Sequence, residues 1–410
     1  MKIRSITFFF NPGWPFRETE LGKAREFNAA ARPVFEKAGY EVQSTRLVST
    51  SFSGMIEDWN SSEPVEFARA LEQAARQAGY DYNAAGPAFP GRPESYAAIP
   101  AMLAATRDLF LSGVIAGKPA GVSLPAVKAC ASIIQQASTI TPDGFTNLRF
   151  AAAANVPAGG PFLPTGYHDG GASSFAIATQ AADLAVQAVT EAKSLSDVRL
   201  SLVRLIEENA AVILQAARTM TDRFGLAFAG IDFSLAPFPQ QALSFGEAME
   251  RLGLPSVGLH GSLAAAAILT DALDQARYPR AGFNGLMLPV LEDYVLAKRA
   301  GEGKLSLKDM LLYSAVCGTG LDTVPLPGDA SQEQLAAVLL DVAALSLRLD
   351  KPLTARLMPL PGKAAGDPTH FDFGFFADSG VMSLDAAPLS RFMAGDETFL
   401  LAPRARLEGK

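Results

Sequence analysis

Cysteine is nearly missing from this chain of 410 residues: there are two, Cys130 and Cys317. Two distant thiols exclude a disulfide framework and a thiolate zinc site. Charge is sparse as well. Asp, Glu, Lys and Arg make up 19% of the residues and the net charge is −7, which leaves no basic footprint for nucleic acid. No uninterrupted apolar run reaches the roughly 18 residues of a membrane span. The opening Met1-Lys2-Ile3-Arg4 lacks the apolar stretch and small-residue cleavage site of a signal peptide, so a cytoplasmic location is expected. Motifs for cofactor chemistry are missing too. There is no Walker A sequence, no Gly-x-Ser-x-Gly elbow and no His-Glu-x-x-His. Gly318-Thr319-Gly320 precedes a strand, the wrong side for a dinucleotide fingerprint. No nucleotide cofactor is expected.

What the chain does have is a short motif that occurs twice. Leu321 to Asp329 contains Pro325-Leu326-Pro327-Gly328, and Ala355 to Lys363 contains Pro359-Leu360-Pro361-Gly362. Aligned on Pro-Leu-Pro-Gly, Asp322 matches Arg356 and Asp329 matches Lys363. A helical run, Ser331 to Leu349, lies between them. This reads as strand, turn, helix, strand and the same turn. Neighbouring parallel strands lie about 4.8 Å apart. If these two are neighbours, an acid stands beside a base at two levels of one cleft.

Elsewhere strand-like and helix-like segments alternate. Ile3–Phe10, Tyr40–Val48, Tyr80–Ala84, Leu109–Ala116 and Asn147–Ala154 read as strands, with helices at Glu18–Ala38, Pro64–Ala78, Ala98–Arg107 and Pro125–Ala137 between them. Gly39 and Gly79 close the first two helices as left-handed caps. Two long helices are expected at Ser173–Ala192 and Ser196–Arg223. Later strands are expected at Leu226–Phe233, Leu286–Val290, Gly320–Val324 and Thr354–Met358. Repeated β–α units mean parallel strands covered by helices. About nine strands favour a closed parallel-type barrel over an open sheet. The chain reads as one domain, residues 1–410, because no linker stands out and a split near residue 195 is weakly marked. In either architecture the loops after the strands form the site. The loops Ala84–Pro93 and Asn155–Gly171 are long enough to suggest function.

The candidate residues follow from those loops, and each has a bland alternative. Asp232, Glu292, Asp322 and Asp329 lie on segments after strands and could hold Mg²⁺ or Ca²⁺, which take oxygen ligands. Arg356 and Lys363 could grip a carboxylate or phosphate, with Ser234 and Asp367 beside them. Asp322 and Arg356 could equally be a structural ion pair, although such a pair need not stabilise a fold. Asp329 could instead complement the helix dipole, next to a capping box made by Ser331 and Gln334. On a helix, adjacent Glu292 and Asp293 point in different directions, so only one is expected to face the site. His168, followed by Asp169 and glycines, suggests either an exposed catalytic group or loop surface. Cys317 is either a nucleophile or a small buried thiol; Cys130 is core.

The segments Cys317 to Asp329 and Lys351 to Asp367 carry a resemblance. They resemble the DUF711 / UPF0210 family of uncharacterised bacterial and archaeal proteins, and Ile231 to Pro239 with the β–α pattern extends it over most of the chain. The resemblance implies an α/β barrel of about ten strands, like that of pyruvate formate-lyase, surrounded by helices. It also implies a homodimer. Glycyl-radical relatives carry an Arg-Val-x-Gly-Tyr-like loop, which Asp378-Ser379-Gly380-Val381 does not match, so no glycyl radical is expected. The resemblance brings no established reaction; the candidate residues themselves set the expectation of an enzyme acting on a small anionic metabolite, with Mg²⁺ or Ca²⁺ as its candidate cofactor, by a lyase or hydrolase step. Asp322, Cys317 and His168 are its catalytic candidates. The competing class is a non-catalytic metabolite- or metal-binding sensor.

Overall fold

A computed structural model describes residues 1–316 and 318–403. Its ten main strands are β1 (Lys2–Phe10), β2 (Thr45–Ser49), β3 (Tyr82–Ala88), β4 (Leu109–Gly117), β5 (Gly121–Ser123), β6 (Phe150–Ala154), β7 (Ser174–Gln180), β8 (Ala227–Asp232), β9 (Gly320–Pro327) and β10 (Leu353–Leu360). The helices are α1 (Glu18–Lys37), α2 (Glu63–Gln77), α3 (Pro93–Ala104), α4 (Leu124–Ser138), α5 (Ala182–Glu191), α6 (Leu195–Phe224), α7 (Phe245–Arg251), α8 (Ser262–Gln275), α9 (Tyr294–Gly301), α10 (Leu307–Ser314) and α11 (Gln332–Leu349). None of them is long and apolar enough to cross a membrane.

Local sequence explains most of these boundaries. Gly39 and Gly79 follow α1 and α2 with φ of 96° and 77°, as left-handed caps. Ser331 accepts from the amide of Gln334 while the Gln334 side chain accepts from Ser331, the expected capping box of α11. One expected helix was wrong. Ser173–Ala192 splits into β7 and α5. Its alanines favour helix locally, but Phe175 and Ile177 are fully buried and β7 pairs antiparallel with β1 along its length. Tertiary pairing outweighs propensity there.

One large sheet organises the molecule, in the order β8-β7-β1-β2-β3-β4-β6-β10-β9, with β5 paired to β4. It is mixed rather than all parallel, which corrects the parallel-type expectation. β7 runs antiparallel to β1 and β10 antiparallel to β6, whereas β1 to β4, β6, and the outer pairs are parallel. β9 and β10, the two strands of the repeat, are parallel neighbours as expected. The hydrogen-bonded ladder runs from β8 at one edge to β9 at the other. The segment 279–290, expected to contain a strand, makes isolated bonds to both edges. Ile231 donates to the Pro279 carbonyl at 2.9 Å, and Val290 donates to the Asp322 carbonyl at 3.0 Å.

The two faces of the sheet differ. On the outer face Ile6, Phe8 and Phe10 pack with Phe27 and Phe35 of α1 in the main core. On the inner face Phe9, Val48, Ala84, Phe110, Ala176, Met358 and Leu360 form a second cluster. Two segments fill this inner side. The loop after β6 brings in Leu163, and the chain after β10 brings in Phe371 and Val381. Period-two alternation of the strands sends their polar side chains to the same inner side.

Candidate functional site

The site grows from an irregularity between β9 and β10. Their register passes from Ala355 opposite Leu321 to Leu357 opposite Val324. Two residues, Asp322 and Thr323, therefore face one, Arg356, which is a β-bulge. Thr323 takes φ of 42°, a conformation uncommon for a β-branched residue. Its hydroxyl is buried without a hydrogen-bond partner among the described residues. The bulge aims Asp322 at its neighbour, and Arg356 Nε donates to Asp322 Oδ1 at 2.6 Å.

Arg356 is 4% exposed and reaches two further acceptors. Its Nη2 donates to Glu292 Oε1 at 3.2 Å and its Nη1 to the Leu148 carbonyl at 3.3 Å. Glu292 lies just beyond the 279–290 segment, and its other oxygen pairs with Arg4 of β1. Arg4 sits at a register shift in β1, between Ile3 and Ser5. A third guanidinium, Arg46 of β2, has no carboxylate partner among the described residues. It donates to Ser44 Oγ at 3.3 Å and to the Pro161 carbonyl at 3.1 Å. Arg4, Arg46, Glu292 and Arg356 line one cleft, walled by Tyr82, Phe110, Phe162, Phe373 and Phe375. Phe162 lies under the Arg356 guanidinium at 5.5 Å.

Electrostatics separate these groups by role. Burial pushes the Asp322 carboxyl above the usual carboxylate range, with Arg356 opposing and Glu292 adding to the rise. Burial pulls Arg356 down, but Asp322 and Glu292 outweigh it and hold it above its ordinary value. Arg46 is different: burial, followed by repulsion from Arg4, pulls it down to about 9. Glu292 opposes that fall without pairing with it.

The family described as "Uncharacterised ACR (DUF711)" matches residues 1–377. A UPF0210 protein of Pyrobaculum arsenaticum is 33% identical over 384 residues, covering 90% of this chain and 84% of that protein. One from Methanococcoides burtonii is 28% identical over 389 residues, covering 91% and 86%. One from Acetivibrio thermocellus is 29% identical over 367 residues, covering 84% and 80%. This chain belongs to the DUF711 family.

In this DUF711 protein the expected site residues are only partly gathered. Asp322, Arg356 and Glu292 come together as an ion-pair network. The four acids expected to bind metal do not. Among the described residues no group of three or more His, Cys, Asp or Glu is placed to hold a metal ion. The physical reason is that Arg356 stands between Asp322 and Glu292. The donor set around it does not fit Mg²⁺ or Ca²⁺. Asp232 lies behind the cleft, sharing a small void with Arg4, Arg46 and Phe162. Its oxygens accept from Ser234 Oγ at 2.5 Å and from the amides of Ser234, Phe283 and Asn284 at 3.0–3.1 Å. Ser234 is thus a staple for Asp232 rather than a ligand contact. Gly282, with φ of 73°, makes this possible, because a Cβ there would lie 2.3 Å from Asp232 Oδ2.

Asp329 and Lys363 are exposed in the turns that follow β9 and β10, away from the buried pair. Asp367 accepts from the Ala364 amide at 2.7 Å and shapes its own turn. His168 is buried rather than exposed, 5% accessible. Its Nδ1 accepts from the Gly170 amide and its Nε2 donates to the Ala172 carbonyl, both at 3.1 Å, so both nitrogens serve the loop. Cys317 lies outside the described residues. Asp293, next to Glu292, accepts from the Phe245 amide at 2.6 Å and the Val295 amide at 2.9 Å, capping both α7 and α9. As expected, only one of the adjacent acids faces the site.

Arg4 and Arg46 were missed. The signal was present: each is a charged residue inside a β-rich segment, next to residues that a sheet buries, where a charge needs a reason. Phe162, Phe373 and Phe375 were not legible as cleft walls, because loops far apart in sequence bring them there.

Proposed function

We propose that this protein binds a small anionic metabolite in the cleft between Arg46, Arg4 and the aromatic walls. One observation carries the reading: Arg46 is a half-buried guanidinium bonded only to neutral oxygens among the described residues. Arg presents a planar fork that matches a carboxylate or phosphate. Arg356, the expected ligand residue, is occupied by Asp322, Glu292 and Leu148 and serves to stiffen the cleft floor.

The geometry favours binding over turnover. Glu292 is the carboxylate on the cleft wall, and its two oxygens are taken by the guanidinium groups of Arg4 and Arg356. His168 is spent on its own loop. The lyase- or hydrolase-type reading rests on Asp322, whose raised proton affinity suits acid–base work but whose place is behind Arg356. We also infer that segment 279–290 joins the two sheet edges into a barrel around the cleft. A homodimer is proposed through the outer helices, supported by Leu195, Leu200 and Val212 of α6, which are 55%, 67% and 40% exposed.

The test is calorimetric titration of carboxylated and phosphorylated metabolites into wild type and Arg46→Met. Binding that the substitution removes, with the fold retained, supports the reading. Binding that persists unchanged in Arg46→Met overturns it. Light scattering that returns only the 43.2 kDa monomer across a wide concentration range overturns the dimer.

A further inference from the structure

The cleft also specifies what kind of anion it takes, an inference that rests on the anion-binding reading above. Charge comes first. Arg4 and Arg356 are matched by Glu292 and Asp322, so Arg46 is the guanidinium of this cleft without an ion pair among the described residues. Asp232, across the small void, makes no ion pair with Arg4 or Arg46; four donors satisfy its oxygens, and burial pushes its carboxyl above the usual carboxylate range. One unpaired guanidinium matches one negative charge. A second negative charge on the ligand would meet Glu292, which lines the same cleft.

Size comes second. The cavity measures about 70 Å³. A water-sized group needs roughly 10–15 Å³ by this measure, and a cavity of about 150 Å³ is what accommodates benzene. By these two yardsticks the space takes about three to seven heavy atoms. Wall chemistry comes third. Besides the charged groups and Gln43, Ser44 and Tyr82, the lining is apolar: Phe110, Leu148, Phe162, Leu163, Phe373 and Phe375. The ligand needs one anionic end and one hydrocarbon end.

We infer that the cleft binds a short-chain aliphatic monocarboxylate, its carboxylate on Arg46 and its alkyl end against Phe110 and Phe162. Phosphate has no apolar end. A dicarboxylate would set its second carboxylate against Glu292 or the phenylalanines. An aromatic acid is too large for the cavity.

The experiment titrates acetate, propionate, butyrate, benzoate, succinate and inorganic phosphate into the full chain at pH 7. Propionate or butyrate should bind at least tenfold more tightly than benzoate, succinate or phosphate. Arg46→Lys, which keeps the charge but loses the fork, should weaken propionate about tenfold. Phe110→Leu, which enlarges the apolar end, should move the preference toward longer acids and leave phosphate unaffected. Succinate or phosphate binding best, in a manner that Arg46→Lys weakens, overturns the monocarboxylate assignment and leaves the anion site standing. Failure of every probe at millimolar concentration overturns the monocarboxylate assignment. It leaves the broader anion reading to the metabolite panel above. Monocarboxylate binding that neither substitution alters places the ligand elsewhere and also overturns the inference.

Discussion

Replacing Arg356 by methionine should destabilise the protein in a pH-dependent way. The substitution keeps the length of the side chain but removes its bonds to Asp322, Glu292 and the Leu148 carbonyl. Glu292 keeps Arg4. Asp322, 1% exposed, keeps no cation. Breaking a buried pair in this way costs about 3–5 kcal/mol. The cost of the lone carboxylate also has a ceiling, because it can take up a proton. That ceiling is about 1.4 kcal/mol for each pH unit above the unfolded pKa of about 3.9, hence about 4 kcal/mol at pH 7 and about 1.5 kcal/mol at pH 5. The sign follows from linkage. Burial already raises the Asp322 pKa in the wild type, and loss of Arg356 raises it further. The folded variant then holds a proton that the unfolded chain releases, so its stability falls as pH rises from about 4 toward the raised folded value. Urea denaturation of wild type and Arg356→Met at pH 5, 6 and 7 reads this out. The deficit should grow with pH, by at most about 2–3 kcal/mol across the range, because the wild type also loses stability up to its own raised Asp322 pKa. The double variant Asp322→Asn with Arg356→Met should lose the slope. A deficit that is the same at every pH would refute the argument, because it would mean that no unpaired carboxylate is left behind.

Three further outcomes are expected. Thr323→Gly should stabilise the protein by about 1 kcal/mol by relieving a positive φ and removing an unpartnered hydroxyl; a lower melting temperature would show that this hydroxyl has a role the folded chain conceals. Asp293→Ala should cost about 3 kcal/mol, measured by denaturant midpoint, because it uncaps α7 and α9 together and strands buried donors; a change under about 0.5 kcal/mol would contradict the double-cap description. Monocarboxylate affinity should hold steady between pH 6 and 8. It should weaken once pH passes about 9, where Arg46, facing Arg4, Arg356, Tyr82 and Glu292, begins to lose its proton. The ligand stays anionic throughout, so affinity that rises in that range would exclude Arg46 as the anchor.

Much of the fold was legible because it is local. Gly39, Gly79, Ser331 and Gln334 mark helix ends through interactions that span only a few residues. The duplicated Pro-Leu-Pro-Gly strands announced β9 and β10, and the repeat itself implied that Asp322 would meet Arg356. Ser173–Ala192 misled for the opposite reason: its alanines favour helix, and only pairing with β1, far away in the chain, turns its first half into β7. Strand direction was likewise out of reach. Whether β7 and β10 run with or against their neighbours depends on which strands meet, and the sequence of one strand does not contain that.

The candidate site divides along the same line. Composition showed no basic footprint, and the repeat located one acid–base pair. It could not say that Arg356 would be consumed by two carboxylates, nor that Asp232 and His168 would be tied into their own loops. Those facts come from a bulge at Thr323, a turn carrying Glu292, and backbone amides of Phe283 and Asn284. Arg4 and Arg46 lie on strands that reach the cleft only because the sheet places their inner faces opposite β9 and β10. Sequence fixes which side chains are charged. The tertiary structure decides which charges neutralise one another, and here that leaves Arg46 over.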